Sequence, residues 1–234
     1  FRLVYFVKIQ SIAMNSKEKQ IKYESSNSYS TLNKLTEDTK HIWLVFHGMG
    51  YLSRYFIREF EEFDAKDHYF IAPQAPSKYY QSKDFRRVGA SWLTKENTVV
   101  ETENVLTYVN AIYKAEIKPI LEKHSHVKFH VLGFSQGVSI ASRFVAKYNI
   151  SCDNLVLHSG GIPKELEPLD FKTFKGKAWL LYGNEDEWLT DEKLEYEKGR
   201  ALILFSERLT TLEFQGAHKL NTEALNKIIF NTTA

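Results

Sequence analysis

The sequence predicts an α/β fold: a mostly parallel central sheet with helices on both faces. Three observations carry this. Short, almost continuously apolar runs recur along the chain, which is how strands buried on both faces read. Segments with 3.6-residue spacing separate them. The resulting alternation of strand and helix is the order that builds parallel sheets.

The strands are read at "HIWLVF" (41–46), "YFIA" (69–72), "VKFHVL" (127–132), "NLVLH" (154–158), "KAWLLY" (177–182) and "TTLEF" (210–214). Residues 98–121 place Val105, Val109, Ile112 and Tyr113 on one helical face, with Pro119 ending or bending that helix. Residues 136–148 repeat the pattern with Ala141, Phe144, Val145 and Tyr148, and the C-terminal segment offers Leu225, Ile228 and Ile229. Residues 24–31 read as a polar opening. Residues 73–97, with Pro73, Pro76, Tyr79, Tyr80 and Trp92, read as a long irregular loop. Such loops tend to be functional, and this one begins at a strand's carboxyl end, where open α/β sheets bind ligands.

With 234 residues and 43% hydrophobic content, the chain supports one sizeable core, so residues 21–234 are expected to form a single domain. Residues 1–20 are expected to be an N-terminal extension. Their apolar segment, interrupted by Arg2 and Lys8, is too short to span a bilayer. Met14 is favoured as the natural start over an export leader cleaved near "SIA" (11–13). A balance of 31 basic against 29 acidic residues leaves a net charge of +2. That gives no global field for nucleic acid or an anionic membrane and points to a small or neutral substrate. The single cysteine, Cys152, allows no disulfide within the chain and indicates a reducing, cytoplasmic compartment. Monomer and homodimer both remain open.

The stretch that carries chemistry is "HVLGFSQGVSI" (130–140), where a strand pattern gives way to a helical one across Ser135. A nucleophile on a sharp strand-to-helix turn takes strained backbone angles and needs small neighbours, which Gly133 and Gly137 supply. The turn also places Ser135 at a helix N-terminus, where free N–H groups favour an oxyanion, and the Gln136 N–H is one such donor. The alternative, a structural serine in a tight turn, fits the flanking strand and amphipathic helix less well.

A serine hydroxyl needs a base, and the base needs a carboxylate to fix its tautomer. In this turn type the acid and then the histidine follow the serine. Of eight histidines only His158 and His218 come after Ser135, and His158 precedes every acid candidate, so His218 in "FQGAHKL" is the base. The acid lies among Glu185, Asp186, Glu187 and Asp191, a cluster that also reads as a solvated loop before a helix capped at Thr190. A second oxyanion donor belongs in the loop after an early strand. "FHGMG" (46–50) fits with the Met49 N–H, His47 being a support.

Taken together, "HGMG", "APQAP", "GFSQG", "HSGG", "YGNED" and "GAH" resemble the phospholipase/carboxylesterase branch of the α/β-hydrolase superfamily, which includes acyl-protein thioesterases. The resemblance runs from about His41 to about Phe230. It implies cofactor-free hydrolysis of carboxylic esters or thioesters, with Ser135 as nucleophile, Asp186 as orienting acid, His218 as base, and Met49 with Gln136 as oxyanion donors. Tyr79, Tyr80, Trp92 and Trp188 are candidates for the substrate pocket, or equally for surface-loop packing. The chain departs from the family pattern in Trp188 within the acid loop, Thr94 after "SWL" and Lys219 after the histidine, so the resemblance does not fix the substrate. Residues 159–177 are too few for a large helical cap, which predicts an open groove. An acyltransferase using the same triad, or a non-catalytic lipid or carbohydrate binder, stays open as an alternative; a peptidase would need an extra domain.

Overall fold

The architecture comes from a computed structural model that describes residues 17–233, with side chains as far as residue 229. The expectations for Met14 and residues 1–13 lie outside the described residues.

A seven-stranded sheet runs through the molecule. In chain order its strands are β1 (Tyr29–Leu32), β2 (His41–Phe46), β3 (His68–Pro73), β6 (Lys128–Phe134), β7 (Asn154–His158), β8 (Lys177–Gly183) and β9 (Leu209–Phe214); in space they lie β1-β3-β2-β6-β7-β8-β9. Only β1 is antiparallel, pairing with β3 through Tyr29 opposite Pro73. A separate hairpin of β4 (Ser77–Tyr80) and β5 (Val88–Ser91) joins β3 to the first long helix.

The central strands β2, β3 and β7 are buried along their whole length, which is why they read as unbroken apolar runs. Alternate residues feed two separate cores. Ile42, Leu44 and Phe46 point to one face with Ile71, Val131 and Leu157. Trp43 and Val45 point to the other with Phe70, Leu132 and Trp179. The first core is covered by α2 (Thr98–Ile112), α4 (Gly137–Tyr148) and α5 (Asp191–Phe205), through Val105, Val109, Phe144, Val145, Leu204 and Phe205. The second is covered by α1 (Ser53–Phe56), the 3₁₀ turn after it and α6 (Thr222–Thr233), through Phe56, Phe60, Leu225 and Ile228. Fully burying one Leu, Ile or Phe stabilises by about 1.5–3 kcal/mol, so each face holds its helices through many such side chains.

Three features differ from the sequence expectation. The polar opening contains β1, an edge strand whose exposed–intermediate alternation leaves no apolar run to read. The segment 73–97 is not wholly irregular but carries the β4–β5 hairpin, and β4 is exposed along its length, so no hydrophobic pattern announces it. The helix over 98–121 is interrupted by a π-helical turn, Tyr113–Ile117, and resumes as α3 (Lys118–Lys123) with Pro119 in its first turn, where a missing N–H costs nothing.

Candidate active site

Ser135 follows directly on β6, and the chain reverses through it into α4 with Ser135 at φ +53°, a left-handed conformation that costs a non-glycine residue energy. Its N–H donates to the His158 carbonyl at 2.9 Å. The glycines on either side are required by close packing. A Cβ on Gly133 would lie 2.5 Å from the Gly137 carbonyl oxygen, and one on Gly137 would lie 2.1 Å from the Phe46 carbonyl oxygen.

The loops after β8 and β9 meet at the same rim. The Asn184 N–H donates to the Phe214 carbonyl, the Glu185 N–H to the Gly216 carbonyl, and the Gly216 N–H back to the Asn184 side chain, so the two loops are stitched into one unit. From that unit the structure brings three predicted residues together. His218 Nε2 lies 2.9 Å from Ser135 Oγ, and His218 Nδ1 lies 2.9 and 2.7 Å from the two Asp186 carboxylate oxygens. Asp186 has a fully buried side chain and also accepts the Trp188 N–H at 2.9 Å. The neighbouring carboxylates are engaged elsewhere or free of the imidazole: Glu185 accepts from Gln215, and Asp191 opens α5, whose N-cap Thr190 accepts the Lys193 N–H. With Asp186 accepting at Nδ1, the imidazole carries its proton there and leaves Nε2 to accept the serine O–H.

On the opposite side of Ser135 lies the loop after β2. A Cβ on Gly48 would sit 3.1 Å from Ser135 Cβ, so this loop passes against the serine side chain. Neither the Met49 N–H nor the Gln136 N–H has an acceptor among the described residues. The loop is held from below. His47 Nδ1–H donates to the Gly48 carbonyl at 2.7 Å, His47 Nε2 accepts the Ala75 N–H at 3.2 Å, and the Trp92 indole N–H donates to the His47 carbonyl at 2.8 Å. Burial pushes the His47 imidazole down to about 4, so it stays neutral in this tautomer.

The four aromatic candidates divide. Trp188 is 66% exposed and stands edge-on to His218 with ring centroids 6.5 Å apart, at the rim of the site. Tyr79 lies on β4 with its hydroxyl beside Gly50, close to the same loop. Tyr80 packs edge-on against Phe85 at the hairpin tip. Trp92 is a correction: it is fully buried against Phe46 and His47, so it presents no surface to a substrate and instead fixes the His47 carbonyl.

Two residues matter here in ways the sequence did not announce. The Gln136 side chain reaches across to residues 91–93, where it accepts the Trp92 N–H and donates to the Leu93 carbonyl. His158 lies buried beside the triad, and its Nε2 accepts the Asn221 N–H at the entry to α6. Burial, reinforced by the nearby His218, pushes it down to about 3, which makes it a neutral hydrogen-bond acceptor. Chain order sets His158 aside as a base, but nothing in the sequence shows that its ring packs beside His218 and accepts from the entry to α6.

Sheet order, serine turn and stitched acid and histidine loops are those of the α/β-hydrolase fold, and among the described residues the segment 159–176 adds no helical cap. No protein-family model and no curated protein sequence matches the chain. Solved structures do. Esterase PE8 aligns with a TM-score of 0.63 and 18% identity over 88% of this chain and 98% of its own. Acyl-protein thioesterase 2 from Zea mays aligns at 0.64 and 14% over 89% and 98%, and a phospholipase/carboxylesterase from Dyadobacter fermentans at 0.57 and 14% over 91% and 99%. The chain therefore has the α/β-hydrolase fold. No described helix is long and apolar enough to cross a membrane.

Proposed function

We propose that this protein is a serine hydrolase that cleaves carboxylic esters or thioesters of small or acyl substrates through an acyl-enzyme. The observation that carries the reading is the continuous Ser135–His218–Asp186 relay, with both links at hydrogen-bond distance. His218 Nε2 takes the Ser135 proton as Oγ attacks the acyl carbonyl, and Asp186 stabilises the imidazolium that forms. The Met49 and Gln136 N–H groups hold the developing oxyanion. Losing one such donor typically lowers turnover about 100- to 1,000-fold. His218 then protonates the leaving alcohol or thiol, and water, deprotonated by the same ring, releases the acid. No step calls for a cofactor.

Acyl-protein thioesterase and esterase structures of the same fold support this chemistry as the first to test. The single, buried Cys152 supports a reducing, cytoplasmic setting. The test is labelling by a fluorophosphonate probe, together with turnover of p-nitrophenyl esters and acyl thioesters of increasing chain length. Labelling confined to Ser135 and lost in Ser135→Ala, with ester turnover lost in parallel, is the expected result. An unlabelled Ser135, or full turnover in Ser135→Ala, sinks the assignment.

A further inference from the structure

We infer that the substrate carries a negative charge away from the bond that is cut, and that Arg54, Arg86 and Arg87 receive it. This rests on the serine-hydrolase reading above and narrows its substrate class. The three arginines line a cavity of about 300 Å³ whose walls also include Gly50, Tyr55 and Gln81. None of its lining residues is acidic. In a chain whose net charge is only +2, three arginines around one cavity are a local concentration of charge and not the expression of a global excess.

Their charge is little compensated. Arg54 and Arg87 enter no ion pair among the described residues. Arg86 faces Asp84 at 3.5 Å, but both side chains are more than half exposed, where such a pair is weak and readily exchanged. Asp84 is occupied besides by the Ser82 hydroxyl and the Arg86 N–H. The Arg54 guanidinium lies 4.9 Å from the Tyr55 ring and holds that phenol below its ordinary pKa. A guanidinium presents a planar fork of donors that matches a carboxylate or a phosphate.

The cavity adjoins the loop that carries Met49. Gly50 follows Met49; its N–H donates to the Ala90 carbonyl at 2.8 Å and its carbonyl accepts the Gln81 side chain at 3.0 Å. The Gln81 N–H donates to the Arg87 carbonyl at 2.8 Å, so the hairpin bearing Arg86 and Arg87 is tied directly to the oxyanion loop. Gly48 touches Ser135, and two residues of chain span at most about 7 Å. The Gly50 edge of the cavity is thus within about 7 Å, along the main chain, of the residue that packs against the serine.

Two sources supply this chemistry: a carboxylate on the acyl part, or phosphate on the leaving group. Matched pairs distinguish them. Mono-p-nitrophenyl succinate is compared with p-nitrophenyl butyrate, and butyryl-coenzyme A with S-butyryl-N-acetylcysteamine. The expected result is that one anionic member exceeds its neutral partner in kcat/KM by on the order of tenfold at low salt. The preference should shrink at about 0.5 M NaCl, and it should fall towards unity in the Arg54→Gln, Arg86→Gln, Arg87→Gln triple variant. The pair that responds names the source. Equal rates within both pairs overturn the inference, as does a preference in the wild type that salt leaves unchanged, a measurement that stands even if the triple variant does not fold. Absence of all ester cleavage with Ser135 unlabelled marks failure of the serine-hydrolase reading itself, and the inference falls with it.

Discussion

Gln136 accepts the Trp92 N–H on its side-chain oxygen at 2.8 Å, so the residue after the serine is fastened to the loop whose tryptophan supports the opposite side of the site. The same amide group donates to the Leu93 carbonyl at 2.8 Å and to the Ser91 hydroxyl at 3.0 Å. One side chain therefore sets the relative position of the α4 N-terminus and, through Trp92, of the His47–Met49 loop.

Gln136→Leu keeps the volume and strips all of these bonds while leaving the backbone N–H in place. The buried Trp92 N–H then has no partner, a loss of about 1–3 kcal/mol. Thermal denaturation should register that loss, and turnover of a p-nitrophenyl ester should fall with it as the two donors drift apart. Gln136→Glu, which retains the acceptor for Trp92 but not the donor for Leu93, should lie between. Wild-type stability in Gln136→Leu would show that the tie bears no strain.

Asp186→Asn tests the tautomer argument. Asparagine can present its N–H₂ to His218 Nδ1, which would move the ring proton to Nε2 and face Ser135 with a donor in place of an acceptor. Where a triad acid has been changed in this way, turnover drops by about 10⁴ with geometry intact. A loss on that scale in kcat, with an unchanged melting temperature, is the expected outcome. A loss under tenfold would mean that the buried carboxylate does not orient the ring.

Much of this was legible in the sequence, for definite reasons. The strands β2, β6, β7 and β8 read correctly because burial on both faces leaves apolar runs, and the serine turn read correctly because Gly133 and Gly137 admit no Cβ. His218 was isolated by chain order. The β4–β5 hairpin and β1 were not legible, since both are exposed or edge elements with little hydrophobic contrast. Trp92 was misread for a related reason: sequence shows that a tryptophan sits in a loop segment, not whether its ring turns inward. The arginine cavity was equally hidden, because Arg54 and Arg86 lie on separate elements and meet only when α1 and the hairpin fold over the same loop.

Cys152 offers a chemical control on the nature of the nucleophile. Burial pushes its thiol well above the ordinary range, so little thiolate forms near neutral pH. Ellman's reagent should find no reactive thiol in the native protein and one after denaturation, and iodoacetamide should leave ester turnover intact. Rapid native modification with loss of turnover would contradict both the packing and the serine assignment.

The last prediction concerns acid. At the ends of the strands remote from Ser135, the Trp179 indole N–H donates to Asn154 Oδ1 at 2.8 Å, Asn154 Nδ2 donates to His130 Nδ1 at 2.9 Å, and His130 Nε2–H donates to His41 Nδ1 at 2.9 Å. Alongside, the Trp43 indole N–H donates to His68 Nδ1 at 3.2 Å. Each accepting nitrogen must be unprotonated, and burial enforces this: His130 is held well below the ordinary value, and His68 is pushed down to about 4, as His47 is near the site. Because the folded values lie below the unfolded value of about 6.5, the unfolded chain takes up protons first as pH falls. Stability is therefore complete above about pH 6.5 and is lost below it, each such ring costing up to about 1.4 kcal/mol per pH unit until its folded value is reached. Urea midpoints measured between pH 7.5 and 4.5 should fall steeply below about 6.5, and His130→Ala, less stable at neutral pH, should show a shallower slope by one group. A midpoint that stays flat across that window would mean that these rings are not held neutral by the fold.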